Sequence, residues 1–250
     1  MLRRPFPVTQ QGPYVANAVN FDGSTSISRG ADLDSITNTK LGIFSGWVRM
    51  GAGTDGNQYT IFNSYGPNDG ISLMRDNSPA NKLYVLHRYN DAGAICWGAY
   101  SAGTITVSSG WAHILMAWDL ANTTAQIYLD DSLDAHSNTH GPLNQAPLYS
   151  RSDHHIGIYR GASFPFVGDM ADIYINTDEY LDISVEANRR KFIDGDGKPV
   201  YLGADGELPT GNQPSQFFSG ETDTWHVNKG YGGGFTESGT LTTASTSPSD

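Results

Sequence analysis

The feature that most constrains this chain is a series of short β-forming runs separated by clusters of Gly, Asn, Asp, Ser and Pro, with no long helical period before residue 183. The clearest runs are residues 111–119 and 124–130, in which apolar side chains at every second position form one face of each strand. The four residues between them form a loop of hairpin length. This arrangement predicts an antiparallel pair of strands.

Further runs of the same kind predict strands at residues 17–22, 43–50, 59–63, 71–75, 82–88, 94–98, 153–159 and 167–175. Composition points the same way, because glycine supplies 29 of 250 residues and only 16% of residues are charged. Long solvated helices need many Lys, Glu and Arg side chains, whereas turn-rich sheets need glycine. The sequence therefore predicts an all-β sandwich.

Charge and hydropathy exclude two classes of partner. Fifteen basic against 26 acidic residues give a net charge of −11, which disfavours a surface that follows nucleic-acid phosphates. Since no run approaches the ~20 apolar residues of a membrane span, we expect no membrane insertion. Cys96 is the single cysteine, so an internal disulfide is impossible, and we interpret it as a small apolar filler.

The pattern changes after residue 182 and divides the chain into an N-terminal arm (1–16), a sandwich (17–182) and a C-terminal segment (183–250). Asp182 or Ser184 can cap a helix over residues 185–192. From residue 203 onwards polar residues and glycine dominate, and the isolated aromatics are candidate anchors: Phe217, Phe218, Trp225, Tyr231 and Phe235. One interpretation is a disordered tail, and the other is an arm that orders against its own sandwich or a neighbouring subunit.

Several short motifs occur in one order along residues 17–176. They are NFDG (20–23), FSGWV (44–48), WAH (111–113) with WD (118–119), IYLD (127–130), IG (156–157) and FVGDMADIY (166–174). This series resembles the laminin-G-like and concanavalin A-like lectin/glucanase jelly rolls. The resemblance implies an all-β concanavalin A-like jelly-roll β-sandwich, here with one short helix and a long irregular C-terminal arm.

The stretches VEANRRKF (185–192) and GKPV (197–200) are similar to the extension found after such jelly rolls in proteins of tailed phages and prophages. This resemblance implies a virion protein made in the host bacterial cytoplasm. Its implied partners are other virion proteins, the major capsid or tail proteins, and further copies of itself in a homo-oligomer. The resemblance leaves a head decoration, a fibre protein and a tail-tip component open.

Because the resemblance includes glucanases, paired carboxylates are the first catalytic test. All five glutamates lie at or beyond Glu179, and the strand carboxylates Asp169 and Asp172 are expected on opposite faces. The sequence thus lacks a retaining pair, and we expect a protein without enzymatic activity.

Sugar binding is the ligand chemistry that the loops could support, because it needs an aromatic face and a few fixed polar groups. The candidate residues for a glycan or a partner are Tyr65, Asn68, Asp69, Trp97, Tyr100, Tyr159 and Arg160. The resemblance also implies a structural Ca²⁺ at the sandwich rim, for which Asp119, Asp130 and Asp131 lie at strand ends; ordinary turn chemistry is the competing interpretation. No other cofactor is expected.

Three functional hypotheses follow. The first is a non-enzymatic phage structural protein of the capsid-decoration or head-fibre type, anchored by its arms. The second is a carbohydrate-binding receptor module of a tail tip or fibre, which would bind a host surface glycan. The third is a glycan hydrolase.

Overall fold

A computed structural model describes residues 14–161 and 163–250 of the chain. Strands dominate it, and the one α-helix of the described residues, α1, has four residues. The strands are β1 (Val19–Asp22), β2 (Ser26–Arg29), β3 (Leu41–Met50), β4 (Tyr59–Tyr65), β5 (Asp69–Asn77), β6 (Ala80–Arg88), β7 (Ile95–Thr104), β8 (Trp111–Asp119), β9 (Thr124–Leu129), β10 (Ser132–Leu133), β11 (Ser137–His140), β12 (Asp153–Ile156), β13 (Val167–Asn176), β14 (Gln216–Phe218), β15 (Thr236–Ser238) and β16 (Thr242–Thr243), and α1 is Glu186–Arg189.

The strands form two antiparallel sheets of eight strands each. The first sheet has the order β10-β9-β8-β3-β13-β1-β16, with β14 also paired to β13. The second sheet has the order β11-β7-β6-β5-β4-β12-β2-β15. The main hydrophobic cluster draws residues from both sheets, so the two sheets are the layers of a β-sandwich.

Strand β8 shows how alternation builds this core. Its residues Ile114, Met116 and Trp118 belong to the cluster between the sheets. Leu115 and Ala117 face the other way and join a second cluster on the outer side of the first sheet. Both faces of this strand are therefore buried, as expected for the middle of a sheet covered on both sides.

The hairpin predicted between residues 111 and 130 is confirmed. Strand β8 pairs with β9 in antiparallel register, with Asp119 opposite Thr124. The Asp119 carboxylate accepts hydrogen bonds from the backbone amides of Ala121 and Asn122 and so caps a short 3₁₀ turn. Thr123 then takes a left-handed conformation (φ 53°), which returns the chain into β9.

One edge of β13 is shared by two strands that meet end to end. Strand β1 pairs with residues 167–170 of β13, and β14 from the C-terminal segment pairs with residues 173–175. The register of β13 against β3 shifts between Ala171 and Tyr174, where Asp172 has φ 48°. The bulge lies at the point where the strand beside this edge of β13 changes from β1 to β14.

The C-terminal arm is ordered against its own sandwich, so the alternative of a disordered tail is wrong. Trp225 and Phe218 are fully buried and stack at 5.9 Å between ring centroids. The Trp225 ring also meets Phe21 of β1 edge-on at 6.1 Å, and Phe235 meets Phe218 at 5.1 Å. These aromatics extend the core between the sheets.

The remaining anchors also find partners within the chain. Phe217 packs against Tyr174 of β13, and the Tyr231 hydroxyl donates a hydrogen bond to the Asp178 carboxylate. The arm further adds β15 beside β2 and β16 beside β1, which covers a strand edge in each sheet. The arm therefore uses its anchors on its own sandwich, not on a neighbouring subunit.

The helix is shorter than the predicted span of residues 185–192. Val185 is its N-cap, while the Asp182 carboxylate accepts a hydrogen bond from the Ser184 amide in a turn before it. After Arg190 the chain leaves helical geometry, because Phe192 and Ile193 are buried in two different clusters on the outer side of the first sheet.

The N-terminal arm lies outside the described residues up to position 13, and its end at Tyr14 packs on the first sheet. Among the residues that the structure describes, no helix has the length and apolar character needed to cross a membrane.

Candidate functional site

The outer face of the second sheet is polar, in contrast to that of the first sheet. On β6, Leu83 and Val85 point into the core, so Tyr84, Leu86 and Arg88 point outward. Among the described residues, the two satellite hydrophobic clusters both lie on the first sheet. Ion pairs and aromatic rings occupy one end of the second sheet's outer face.

The centre of this arrangement is Asp69, the first residue of β5, whose side chain is 1% exposed. Residues from four strands or loops converge on its carboxylate. We name them together the Asp69 cluster: Asn63, Tyr65, Asp69, Arg88, Tyr159 and Arg160.

Two arginines neutralise Asp69. Arg160 binds it with both Nε (3.2 Å to Oδ1) and Nη2 (3.1 Å to Oδ2). Arg88 Nη1 lies 3.2 Å from Oδ2. The two-point contact of Arg160 fixes the plane of its guanidinium, which a single contact would not do.

Neutral donors complete the set. The Tyr159 hydroxyl donates to Oδ2 at 2.9 Å, and Asn63 Nδ2 lies 3.4 Å from Oδ1. Burial is the main reason that the pKa of Tyr159 rises to about 12, and the neighbouring Asp69 charge adds to it. Hydrogen bonding to Asp69 raises the pKa of Arg160 above its usual range. Tyr159 is therefore a neutral donor and Arg160 a charged one at neutral pH.

Two aromatic rings lie against the Arg160 guanidinium. Its Cζ atom lies 4.6 Å from the Tyr65 ring centroid and 4.9 Å from that of Tyr159. Phe164, 41% exposed, places its ring 5.8 Å from Tyr159. The hairpin that carries these residues is closed by paired backbone hydrogen bonds between Tyr159 and Ser163. An aromatic pair of the half-buried Tyr159 and the exposed Phe164 thus lies beside a fixed cation.

Asn68 lies at the margin of the cluster. Its Nδ2 donates to the Asp91 carbonyl oxygen at 2.7 Å, which ties the β4–β5 turn to the β6–β7 loop. Asp91 in turn pairs with the buried Arg151 at 2.6 Å. Five of the seven predicted residues, Tyr65, Asn68, Asp69, Tyr159 and Arg160, therefore lie in one region.

The other two candidates lie elsewhere. Trp97 has no exposed surface, packs between Trp118 and His87, and donates from Nε1 to Asn138, so its ring cannot be a platform for a sugar. This corrects its prediction as a binding residue. Tyr100 lies on β7, stacked on Tyr84 at 4.6 Å.

Sequence reasoning missed three residues of this region: Asn63, Arg88 and Phe164. Alternation along β6 would have placed Arg88 on the outer face. For Asn63 and Phe164 the sequence holds no comparable signal, because their positions depend on the bulge in β4 and on the hairpin at residues 157–166.

The calcium candidates do not form one site. Asp119 and the pair Asp130 and Asp131 lie at opposite ends of the β8–β9 hairpin, about 20 Å apart at the usual rise per residue. Asp130 accepts a hydrogen bond from the His113 amide, and Asp131 pairs with Arg189 at 2.6 Å. No group of three or more His, Cys, Asp or Glu side chains suited to a metal occurs among the described residues.

The prediction for Asp169 and Asp172 is wrong in geometry. Because of the bulge in β13, both point to the outer side of the first sheet: Asp172 accepts hydrogen bonds from the Tyr14 hydroxyl at 3.0 and 3.1 Å, and Asp169 faces Arg49. Burial raises the pKa of Asp172 to about 7. Each carboxylate is engaged with a different protein group.

No family model and no curated protein matches the chain in sequence. Solved structures do match it in fold. A candidate carbohydrate-binding protein of Bacteroides ovatus ATCC 8483 aligns over 94% of this chain with a TM-score of 0.64 and 14% identity, and the chain spans 62% of that protein.

Two further structures share the architecture. The heptameric SAP-like pentraxin of Limulus polyphemus aligns over 89% of this chain and 94% of its own, with a TM-score of 0.53 and 14% identity. The receptor-binding domain of botulinum neurotoxin mosaic serotype C/D aligns over 67% of this chain and 40% of its own, with a TM-score of 0.50 and 16% identity. Such low identity establishes the fold alone: the chain is an all-β jelly-roll sandwich of the concanavalin A-like type.

Proposed function

We propose that this chain is a non-enzymatic binding module that recognises carbohydrate through the Asp69 cluster. The observation that carries the proposal is the junction of a fixed guanidinium with an aromatic pair in which Tyr159 is half-buried and Phe164 is exposed. Arg160 is held on Asp69 by two hydrogen bonds, and the Tyr159 ring beside it packs on the exposed Phe164.

Saccharides present apolar C–H faces together with a dense set of hydroxyls. An aromatic face covers the former, and donors in fixed positions orient the latter. Asp69 and the rings of Tyr65 and Tyr159 already hold Arg160 in place. Ligand binding would therefore cost little of the conformational entropy of the Arg160 side chain. The site is therefore preorganised for a rigid polar ring.

The cluster offers no equivalent support for hydrolysis. Glycosidases use two carboxyl groups, about 5 to 9.5 Å apart, one of which stays free to act as acid or base. Asp69 is the single carboxylate of the cluster, and two arginines and a tyrosine hydroxyl bind it. A carboxylate engaged in this way can hold the surrounding side chains in place for binding. A catalytic role would need the carboxylate to be free.

The names of two neighbours in fold add support of a weaker kind. One is a candidate carbohydrate-binding protein, and another is a receptor-binding domain. Neither name transfers a ligand to this chain, because the likeness is one of fold. They show that proteins of this architecture are used for recognition.

A glycan array probed with the full chain tests the proposal. We expect binding to at least one class of glycan and a loss of about tenfold or more for Phe164→Ala, since one buried aromatic contact is worth more than 1 kcal/mol. Tyr201→Ala is the matched control, because Tyr201 is 42% exposed and lies on the side of the first sheet. Absence of binding to any glycan, or equal loss in both variants, would contradict the proposal.

We also propose a setting for this module, a phage particle. What supports it is the similarity of residues 185–192 and 197–200 to the extension of phage jelly rolls. In that setting the chain is a capsid decoration, head-fibre or tail-tip component that contacts major capsid or tail proteins as a homo-oligomer. Because the C-terminal arm packs on its own sandwich, attachment falls to the first sixteen residues and to the outer surfaces.

Density-gradient purification of phage particles tests this setting. The chain should migrate with intact particles, and a variant lacking residues 1–13 should be depleted from them while keeping its glycan binding. Full occupancy by the truncated chain would remove the attachment role from the arm. A chain that never migrates with particles would overturn the phage setting and leave the binding module standing.

A further inference from the structure

We propose that the ligand of the Asp69 cluster is an acidic oligosaccharide whose carboxylate or sulfate group is bound by Arg160. The inference rests on the proposed carbohydrate-binding function and narrows it to one class of saccharide. Its basis is the balance of hydrogen-bond donors and acceptors left over at the site.

The acceptor of the cluster is already used. Asp69 receives five N–H or O–H donors, from Asn63, Arg88, Tyr159 and twice from Arg160, at 2.9 to 3.4 Å. An ionised carboxylate offers about four lone-pair positions. At 1% exposure, Asp69 can therefore accept no hydroxyl from a sugar.

Donors, in contrast, remain. The Arg160 side chain is 38% exposed, and a guanidinium carries five N–H groups, of which two bind Asp69. Its other N–H groups have no hydrogen-bond partner within the described part of the chain. The Arg88 side chain is also 20% exposed and adds a second cation beside Arg160. A ligand that matches this surface must supply acceptors.

Charge selects the kind of acceptor. Arg88 and Arg160 carry two positive charges against the single negative charge of Asp69, which leaves one positive charge in the cluster. A planar guanidinium fork fits a carboxylate or sulfate in two-point contact, and such charge-assisted bonds are roughly twice as strong as neutral ones. An acidic sugar therefore gains more here than a neutral sugar with the same ring.

The net charge of −11 limits the length of the ligand. The acidic groups on the rest of the surface would repel a long polyanion. A direct ion pair spans less than the Debye length, which is about 8 Å at physiological salt, so salt screens it little. This favours a short saccharide with spaced acidic groups over a nucleic acid, which needs a continuous basic surface.

The test uses the full chain on an array that carries each acidic oligosaccharide beside a matched derivative. Oligogalacturonate stands beside its methyl ester, which keeps the rings and loses the charge. A sulfated chondroitin hexasaccharide stands beside its desulfated form, which keeps the carboxylates. We expect at least a tenfold preference for the more highly charged member of one pair. Preference for oligogalacturonate over its ester identifies a carboxylate, and preference for the sulfated hexasaccharide over its desulfated form identifies a sulfate.

Variants at Arg160 connect this preference to the cluster. Arg160→Gln should abolish it, while Arg160→Lys should keep part of it, because Lys retains the charge and loses the fork. Arg49→Gln is the matched control: Arg49 is 32% exposed and pairs with Asp169 on the first sheet. Thermal melts establish that each variant is folded before binding is measured.

The outcomes separate the two proposals. Equal or tighter binding of the less charged member in both pairs, or an acidic preference that survives Arg160→Gln, overturns this inference and leaves carbohydrate binding intact. Binding of no glycan at all overturns the proposed function itself. An acidic preference lost in Arg160→Gln and kept in Arg49→Gln supports both.

Discussion

The two sheets of this sandwich present outer faces of opposite character. On the first sheet the outer face is apolar and covered: Tyr174, Phe192 and Phe217 form a buried cluster beneath the C-terminal segment. On the second sheet the outer face carries the buried carboxylate Asp69 with two arginines around it. One fold thus buries an apolar cluster on one outer face and holds an ion-paired polar cluster on the other.

This difference shows how a jelly roll can carry a buried polar cluster outside its hydrophobic core. Burying an ion pair costs desolvation energy that good geometry only partly returns. Here the C-terminal arm adds Phe218 and Trp225 to the core on the side of the first sheet. That added burial of apolar surface stabilises the folded domain.

The sharpest way to break the contrast is to remove the arm's central anchor. Trp225→Ala deletes a fully buried indole that contacts Phe21 and Phe218, and should lower the free energy of unfolding by about 3 to 5 kcal/mol in urea titrations. Glycan binding by the folded fraction should be unchanged. Val227→Ala, at a position 46% exposed, is the control and should cost less than about 0.5 kcal/mol. A similarly small loss for Trp225→Ala would mean that the arm adds nothing to the core.

The next largest effect is expected in the pH dependence of stability, through the buried Asp172 on the first sheet. Because burial raises the pKa of Asp172 to about 7, the folded protein binds this proton more tightly than the unfolded chain does. Asp172 therefore stabilises the fold at low pH and loses that contribution as pH rises from about 4 to 7, by about 1.4 kcal/mol per unit. Asp172→Asn should remove this slope, measured as the difference in unfolding free energy between the two proteins.

Two checks accompany that measurement. Burial lowers the pKa values of His87, His113 and His154, and their contributions cancel in the difference between the proteins. Tyr14→Phe removes the hydroxyl that lowers the pKa of Asp172, so its slope should extend to higher pH. Parallel pH profiles for wild type and Asp172→Asn would contradict the assignment.

A smaller effect is expected at Gly168 of β13. Its φ is 145°, and an added Cβ would collide with the carbonyl oxygen of Arg49 on β3. Gly168→Ala should destabilise the first sheet by about 1 to 3 kcal/mol. Gly141→Ala is the control, since nothing lies within 4 Å of the added carbon. Equal melting temperatures for the two variants would show that β3 and β13 can separate without cost.

The smallest expected effect tests how far the proposed binding site extends along the second sheet. Tyr100→Phe removes a hydroxyl that donates to Asp76 at 2.9 Å, at a cost of about 1 kcal/mol. Glycan binding should not change, because Tyr100 and the Asp69 cluster involve different ends of the face. A tenfold loss of binding in this variant would extend the site along the sheet to β7.

Sequence reasoning recovered the strands well because their signal is local. In β8 the alternation of Ile114, Met116 and Trp118 with Leu115 and Ala117 fixed which side chains enter the core. Strand β2 was not predicted, because Ile27 is its single apolar residue and its pairing with β12 carries the stabilisation. The helix was overestimated, since its pattern does not reveal that Phe192 and Ile193 enter separate clusters.

The residues of the candidate site were likewise predicted only in part. Loop composition was enough to select Tyr65, Asp69, Tyr159 and Arg160, because loops carry the polar and aromatic groups that bind ligands. Composition could not tell that Trp97 is buried, since a tryptophan in an alternating run can face either way once a bulge shifts the register.

The amino-acid sequence by itself determined the layers of this protein: a period of two residues decides which side chains face inward, wherever the partner strand comes from. Tertiary structure decided what lies outside those layers. It docked the C-terminal arm on its own sandwich, turned Asp172 outward at a bulge and brought Arg88 and Arg160 to Asp69, from positions 19 and 91 residues away. Such contacts depend on sheet register and loop closure, which no local pattern encodes.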